Sequence, residues 1–451
     1  MQRKSDFARE TALKVLKEVN HDGKYANISL KHHLRGKRID DKDAAFATHL
    51  IYGTLERQIT IDWILEKFCR LKRANPWVLN ILRMGCYQIF HMDRVPDSAV
   101  CNESVILCKK YAGPALAGFV NGVLRNIVRN KNRIKLPSKE KNPIEYLQLT
   151  YSYPVWLVEK WVQDYGFTTA EMMLMPVREN NYITVRVNRN RITREKLKEK
   201  LKVSGIDPED GLFMRDEALR VYSARDIENN RLYKEGLLTV QGESSMLVVH
   251  LLDPKEGETI LDACSAPGGK ATHIAERMGN RGKIIAWDIH SQRIDLLKRN
   301  IDRMGASIIN PQLHNACNYM PNFNEKFDRV LIDAPCSGWG VIYKKPDIKN
   351  RVDRSSLTDL YDVQHRIIST CAHYVKAGGV LVYSTCTMNI EENQRIIERF
   401  LNDNSMFELD DFIDLLPEKL NDSIIKPGMI QLIPSRDGVD GFFIARLKRT
   451  G

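Results

Sequence analysis

"ILDACSAPGGKATHIAE", residues 260–276, reads as an apolar strand, a turn built on two glycines and the opening of a helix. Gly268 and Gly269 allow the backbone to come close to a ligand, and the helix N-terminus behind them favours polar or anionic groups. A double-glycine turn alone carries little weight. Asp288 adds to it: it ends "KIIAWD" about 20 residues further on, where an acid past the second strand is placed to bind ribose hydroxyls. The chain has no G-x-G-x-x-G, so a dinucleotide is not implied.

Working outward, strands and helical stretches alternate from about residue 236 to the end, the pattern of a parallel sheet. The strands are "TILDAC", "GKIIAWD", "RVLIDAP", "GVLVYSTC" and "GFFIARLKR". Two of them run into a cysteine: Cys336 in "VLIDAPCSGWG" (330–340) and Cys386 in "VLVYSTCT" (380–387). Ligands bind such folds at the carboxyl ends of the strands. Both thiols are therefore expected at one site, with Lys270, just after the glycine turn, steadying it electrostatically. A lone cysteine is ordinarily a small apolar filler, which is the reading for Cys69, Cys86, Cys101, Cys108 and Cys371.

The first 130 residues read as successive helices. In "SDFARETALKVLKEV", Ser5 suits an N-cap, and Ala12, Leu16 and Val19 fall at helical spacing. Pro76 suits the first turn of a further helix. A polar stretch, "NKNRIKLPSKEKNP" (130–143), reads as a linker. Beyond it, "NYITVRVNRNRI" alternates Ile183, Val185 and Val187 with Thr184, Arg186 and Asn188, as a strand does. "REKLKEKLKVSG" follows as a charged helix ending at Gly205.

Charge is uneven along the chain. The formal net charge is +11, yet residues 1–135 hold 25 Lys and Arg against 13 Asp and Glu. Residues 136–235 hold 17 against 16, and the remainder 26 against 28. Clustered Lys and Arg displace counterions from phosphates, so the N-terminal block suits nucleic acid. The nine cysteines are irregularly spaced with no C-x-x-C. That argues against a disulfide framework or zinc cage and for free thiols in a reducing compartment. With no secretory leader and no apolar run of membrane-spanning length, a cytoplasmic protein is expected.

The helical block also carries a resemblance. "IYGTLERQITID", "LRMGCYQIFHMDRVPDSAVCNESV" and "GFVNGVLRNIVR" resemble the NusB-like RNA-binding domain of bacterial rRNA cytosine-C5 methyltransferases of the RsmB (Sun/Fmu) family. Glu56 stands where a basic residue is usual after "YGTL". "VRVN" resembles that family's RNA-binding subdomain, and "DACSAPGGK" its cofactor motif. The fold class implied is an all-α NusB-like N-terminal bundle (1–135), a small α+β RNA-binding module (144–235) and an α/β Rossmann-like S-adenosylmethionine-dependent methyltransferase domain (236–451).

The resemblance implies S-adenosylmethionine as cofactor, held by Cys264, Ser265, Ala266, Pro267, Gly268, Gly269, Lys270, Asp288 and Asp333. It implies a covalent mechanism on cytosine, with Cys386 of the Thr-Cys motif as nucleophile and Cys336 of the Pro-Cys motif assisting release. DNA enzymes of this chemistry instead use the Pro-Cys residue as nucleophile. Asp333 is placed by resemblance at the N3/N4 edge of the base. The family's acidic adenine contact is missing from "QLHNACNYM", leaving Asn315, Cys317 or Asn318 open as substitutes. Lys344, Lys345 and Asp347 of "VIYKKPDIK" are candidates for RNA phosphates, or an ordinary solvated charge run. The implied partner is 16S rRNA, methylated in its helix-31 loop by a monomer without metal. Alternatives are tRNA or another rRNA site, or a non-catalytic RNA-binding assembly or antitermination factor.

Overall fold

The computed structural model describes residues 6–35, 40–72, 74–176, 182–222, 227–344, 346–350 and 355–451. The chain packs as two compact units, Met1–Met175 with Ile342–Val352, and Pro176–Val341 with Asp353–Gly451.

The first unit is helical: α1 Phe7–His21, α2 Ala26–Leu34, α3 Asp41–Glu56, α4 Gln58–Glu66, α5 Pro76–His91, α6 Asp97–Tyr111, α7 Ala117–Asn130, α8 Pro143–Tyr151 and α9 Val155–Leu174. Ser5 lies outside the described residues. Asp6 caps α1, its carboxylate accepting from the Ala8 and Arg9 amides. Asn75 caps α5, with Pro76 in the first turn as expected. Leu13, Leu16, Leu50, Ile51, Ile81, Leu82, Val100 and Leu124 form one buried core. Gly53 of "YGTL" lies under the Tyr87 ring, where any Cβ would overlap it. Within the 144–235 stretch, α8 and α9 cluster with this unit: Thr60 Oγ1 donates to the Leu149 carbonyl at 2.7 Å.

A short 3-10 segment, Pro346–Asn350, also belongs here, and it corrects one expectation. Asp347 is buried rather than turned to RNA phosphates, and its carboxylate accepts from the Ala26 amide at 3.3 Å, in the first turn of α2. An acid suits that position because the helix N-terminus leaves amides unpaired. Lys349 is buried over the Tyr153 ring, 3.9 Å from its centroid, and burial holds its amine down to about 7. Lys344 is exposed, and Lys345 falls outside the described residues.

The second unit opens with a small antiparallel sheet, order β2-β3-β1-β4, from β1 Tyr182–Val187, β2 Asp207–Asp210, β3 Ala218–Tyr222 and β4 Leu238–Val240. Helices α10 Arg194–Val203 and α11 Arg231–Lys234 accompany it. Val185 and Val187 bury one face against Leu197 and Leu201 of α10. Two of the three alternating polar positions do not face water: Arg186 and Asn188 are fully buried as well.

The larger sheet runs β11-β12-β13-β9-β8-β5-β6-β7, with β10 beside β13. Its strands and helices, in chain order, are α12 Glu243–Leu252, β5 Thr259–Asp262, α13 Gly269–Arg277, β6 Lys283–Asp288, α14 Ser291–Met304, β7 Ile309–Leu313, β8 Phe327–Asp333, α15 Ser355–Ala372, β9 Val375–Thr385, α16 Gln394–Asp403, β10 Phe407–Leu409, β11 Ile424–Lys426, β12 Met429–Leu432, α17 Pro434–Asp437 and β13 Phe442–Arg449. From β9 to β7 the strands are parallel, but β13 pairs with β9 antiparallel, so the sheet is mixed. One face buries α12, α13 and α14, the other α15 and α16. Strand β7, "INPQL", is absent from the sequence reading because a proline and two polar residues hide it; as an edge strand it tolerates them. Strand order reverses between β5 and β8, and a ligand crevice opens outside the carboxyl ends at such a switch point.

Candidate active site

Three neighbouring parallel strands, β6, β5 and β8, each end on an aspartate: Asp288, Asp262 and Asp333. The strand ends therefore gather negative charge at the switch point. Asp262 is the least expected of the three. It is fully buried, and neither carboxylate oxygen has a well-formed hydrogen bond. Burial, and next the Asp333 charge, push its carboxyl up to about 7 against the pull of Lys270. An unpartnered buried carboxylate is costly unless something fills the space beside it. Burial reveals this residue; composition and spacing did not.

The glycine turn follows Asp262 directly. Gly268 has φ +102°, a left-handed conformation, and a Cβ there would press on Leu297 at 2.5 Å. A Cβ on Gly269 would meet nothing, so the first turn of α13 lies open to a ligand. The loop is held from behind. Ser265 donates through its amide and hydroxyl to the Trp287 carbonyl at 2.7 and 3.0 Å. Arg293 donates to the Ala266 carbonyl at 2.6 Å, and Asn300 to the Pro267 carbonyl at 2.9 Å. Burial pushes the Cys264 thiol well above its usual range, so it stays neutral.

Asp288 is buried at the end of β6; one oxygen accepts from the His290 amide at 2.9 Å and the other lies 3.2 Å from Arg293. Beside it, Ile289 and Leu313 are more than half exposed, an apolar pair at the ends of β6 and β7. Of the three candidates for an adenine contact, Asn315 spends its side-chain oxygen on the Cys317 amide at 3.0 Å. Cys317 packs into the core, and the Asn318 carbonyl lies 3.0 Å from a His314 ring nitrogen.

Lys270 pairs with Asp333 at 2.6 Å, and Ser384 donates to the other Asp333 oxygen at 3.0 Å. One carboxylate is thus fixed by the glycine turn and by β9 together.

The two thiols lie beside this pair. Cys336 Sγ and Cys386 Sγ are 3.2 Å apart. Each follows a strand end, Cys336 after β8 and Cys386 after β9, and these strands are neighbours. Contact with the Cys386 thiol, and then burial, push the Cys336 thiol well up. By contrast Cys86, Cys101, Cys108 and Cys371 are buried fillers, and half-buried Cys69 lies 3.5 Å from the Leu65 carbonyl.

The sequence reading missed the residues that support this site. Arg186 of "VRVN" reaches α13 instead of solvent. It donates to both Glu276 oxygens at 2.9 and 2.8 Å, to the Gly269 carbonyl at 2.8 Å and to Thr272 Oγ1 at 3.0 Å, and it also meets Gln241. The small sheet thereby braces the glycine turn. Gly340 donates to the Cys386 carbonyl at 3.0 Å and accepts from the Gly441 amide at 2.9 Å, so close that a Cβ on either glycine would strike the other's backbone. That close approach is the signal in "GWG" and "DGFF" that could have been read.

Family models match three stretches of the chain: the NusB family over residues 7–129, a Methyltr_RsmF/B-like ferredoxin-like domain over 153–228, and 16S rRNA methyltransferase RsmB/F over 249–448. The chain is 37% identical to the "Probable ribosomal RNA small subunit methyltransferase B" of Bacillus subtilis (strain 168), covering 99% of this chain and 100% of that one. It is 33% identical to the protein of the same name from Synechocystis sp., covering 98% and 99%. The crystal structure of PH0851 superimposes with a TM-score of 0.80 at 26% identity, covering 99% of each chain. Likeness over the whole length, through a helical domain, a ferredoxin-like domain and a methyltransferase sheet, gives one conclusion: the chain belongs to the ribosomal RNA small subunit methyltransferase B family, S-adenosylmethionine-dependent rRNA methyltransferases.

Proposed function

We propose that this protein methylates C5 of a cytosine in 16S rRNA through a transient bond between Cys386 and C6 of the base. The observation that carries the reading is the 3.2 Å contact of two thiols at adjacent strand ends, beside Asp333 and the glycine turn.

The residues present fit S-adenosylmethionine. An orphan buried carboxylate, Asp262, suits an ammonium group. The open first turn of α13 suits a close backbone approach, Asp288 suits ribose hydroxyls, and Ile289 with Leu313 suits a planar base. When bound, the cofactor supplies an electrophilic methyl group.

C5 of cytosine is a weak nucleophile because the ring is aromatic. The Cys386 thiolate adds to C6, and the C5–C6 π electrons become available at C5 to form the bond to the methyl carbon. Water then takes the C5 proton, the C5–H electrons re-form the C5–C6 double bond, and the C6–sulfur bond breaks with its electrons returning to Cys386. Cys336, in contact with Cys386 at 3.2 Å, is the neighbour that donates a hydrogen bond to the departing sulfur. Asp333 is placed to accept from the N4 amine of the base. The target base must leave any stack to present C6, which is cheapest in a single-stranded loop such as the helix-31 loop. The basic excess in residues 1–135 supports RNA docking by the helical unit.

Incubation with protein-free 16S rRNA and methyl-labelled cofactor, followed by nucleoside mass spectrometry, tests the reading. Labelled 5-methylcytidine is the expected product; label on N4 or on a ribose would contradict it. For the cofactor, calorimetry with S-adenosylhomocysteine should show Asp288→Ala binding about tenfold or more weaker, the loss of a charge-assisted hydrogen bond. Unchanged affinity would remove Asp288 from the site.

A further inference from the structure

The two thiols sit on separate irregular loops, 334–338 after β8 and 386–393 after β9, so strand pairing alone does not keep them in contact. One buried side chain spans both loops. Glu392 is fully buried, and its carboxylate meets four donors. One oxygen accepts from the Ser337 amide at 2.8 Å and from Gln364 Nε2 at 3.0 Å. The other accepts from Ser337 Oγ at 2.5 Å and from Asn389 Nδ2 at 2.8 Å. Gln364 Nε2 also donates to the Pro335 carbonyl at 2.8 Å. The residues on both sides of Cys336 are therefore tied, directly or through Gln364, to the loop that carries Cys386. Ser337 Oγ and Thr387 Oγ1, each one residue past a cysteine, lie 2.8 Å apart. The Glu392 carbonyl accepts from the Tyr383 hydroxyl at 2.8 Å, anchoring the clamp to β9.

We propose that Glu392 is the positioning residue that holds Cys336 and Cys386 in contact, a role that rests on reading those thiols as the reacting pair. A carboxylate offers about four acceptor positions and no donor, which matches the four donors it meets. No neutral side chain of its size accepts all four. Removing it leaves the Ser337 amide, Gln364 and Asn389 short of an acceptor and frees the Cys336 loop to move.

The test compares the full-length protein with Glu392→Ala and Glu392→Gln by two independent readouts. The first is thiol proximity. Diamide takes two hydrogens from two thiols, becoming the hydrazine as a sulfur–sulfur bond forms, and peptide mapping without reductant follows the Cys336–Cys386 link. The second is methylation kinetics alongside S-adenosylhomocysteine affinity. Glu392→Ala is expected to slow the cross-link about tenfold and lower kcat about 100-fold, with KM and cofactor affinity within about threefold, as for a displaced reacting group. Glu392→Gln keeps the shape and one oxygen for the Ser337 amide but turns an NH2 toward a former donor, and should recover part of both. Wild-type cross-linking and kcat in Glu392→Ala would overturn the proposal. So would a collapse of cofactor affinity that Gln does not rescue, because that marks a general structural role. Should the Ala variant fail to fold, Ser337→Ala, which loses only the hydroxyl bonds, must slow the cross-link, or the proposal fails. If methylation survives Cys386→Ala, the covalent reading is lost, while the cross-link rate still decides the part played by Glu392.

Discussion

Cys336→Ala is expected to accumulate RNA attached to the protein through denaturation, and Cys386→Ala to accumulate none. Both follow from giving the two thiols, 3.2 Å apart, different tasks. Without Cys386 no bond to C6 can form, so methylation should fall by about 10³-fold or more, as for loss of other catalytic nucleophiles. RNA should still bind, since the helical unit keeps its basic residues. Without Cys336 the attack and methyl transfer proceed, but the departing Cys386 sulfur loses its neighbouring donor and elimination stalls. A denaturing gel with labelled RNA shows a retarded band for one variant and none for the other. The reverse pattern would assign the nucleophile to the Pro-Cys residue, and full methylation by both variants would remove covalent catalysis altogether.

Arg186→Ala is expected to cost about 3–5 kcal/mol of the second unit's stability, the penalty for stranding one partner of a buried ion pair. Arg186 is fully buried, and its partner Glu276 nearly so. Burial already raises the Glu276 carboxyl, and Arg186 is the chief opposing charge. The Gly269 carbonyl and Thr272 hydroxyl lose a donor in the same change, so S-adenosylhomocysteine affinity should fall as well. Arg186→Lys keeps the charge but not the planar fork, and should recover only part. Urea unfolding measures the first effect and calorimetry the second. An exposed pair such as Arg395–Glu398 should cost under about 1 kcal/mol when broken. A loss that small at Arg186 would contradict a buried, paired guanidinium at this position.

The catalytic sheet was legible because most of its strands are short apolar runs that end at or just before an Asp or Cys, and because residues at adjacent strand ends must meet. Hence Cys336, Cys386, Asp333 and Lys270 could be named together from spacing and resemblance. Other features depend on what a segment packs against. Arg186 looks like one more polar position of a half-exposed strand, and only the α13 helix behind it makes it a brace. Glu392 sits in "MNIEENQRII", which reads as the charged start of a helix, and nothing local shows its carboxylate turned inward. Asp262 belongs to the quoted motif, but its lack of partners is a property of the folded site. Asp347 looks solvated in "YKKPDIK" and is instead buried at the start of α2. The parallel sheet read from strand–helix alternation is present from β9 to β7, and β13 joins it antiparallel because strand direction follows from chain return and not from composition.

The most direct measurement replaces the target cytidine by 5-fluorocytidine in an RNA substrate. Fluorine cannot leave C5 as a proton does, so after methyl transfer the enzyme cannot eliminate its sulfur. Mass spectrometry of the digested product should then find the methylated, fluorinated nucleotide joined to the peptide that contains Cys386. Attachment to Cys336, or no attachment while ordinary RNA is methylated, would contradict the account.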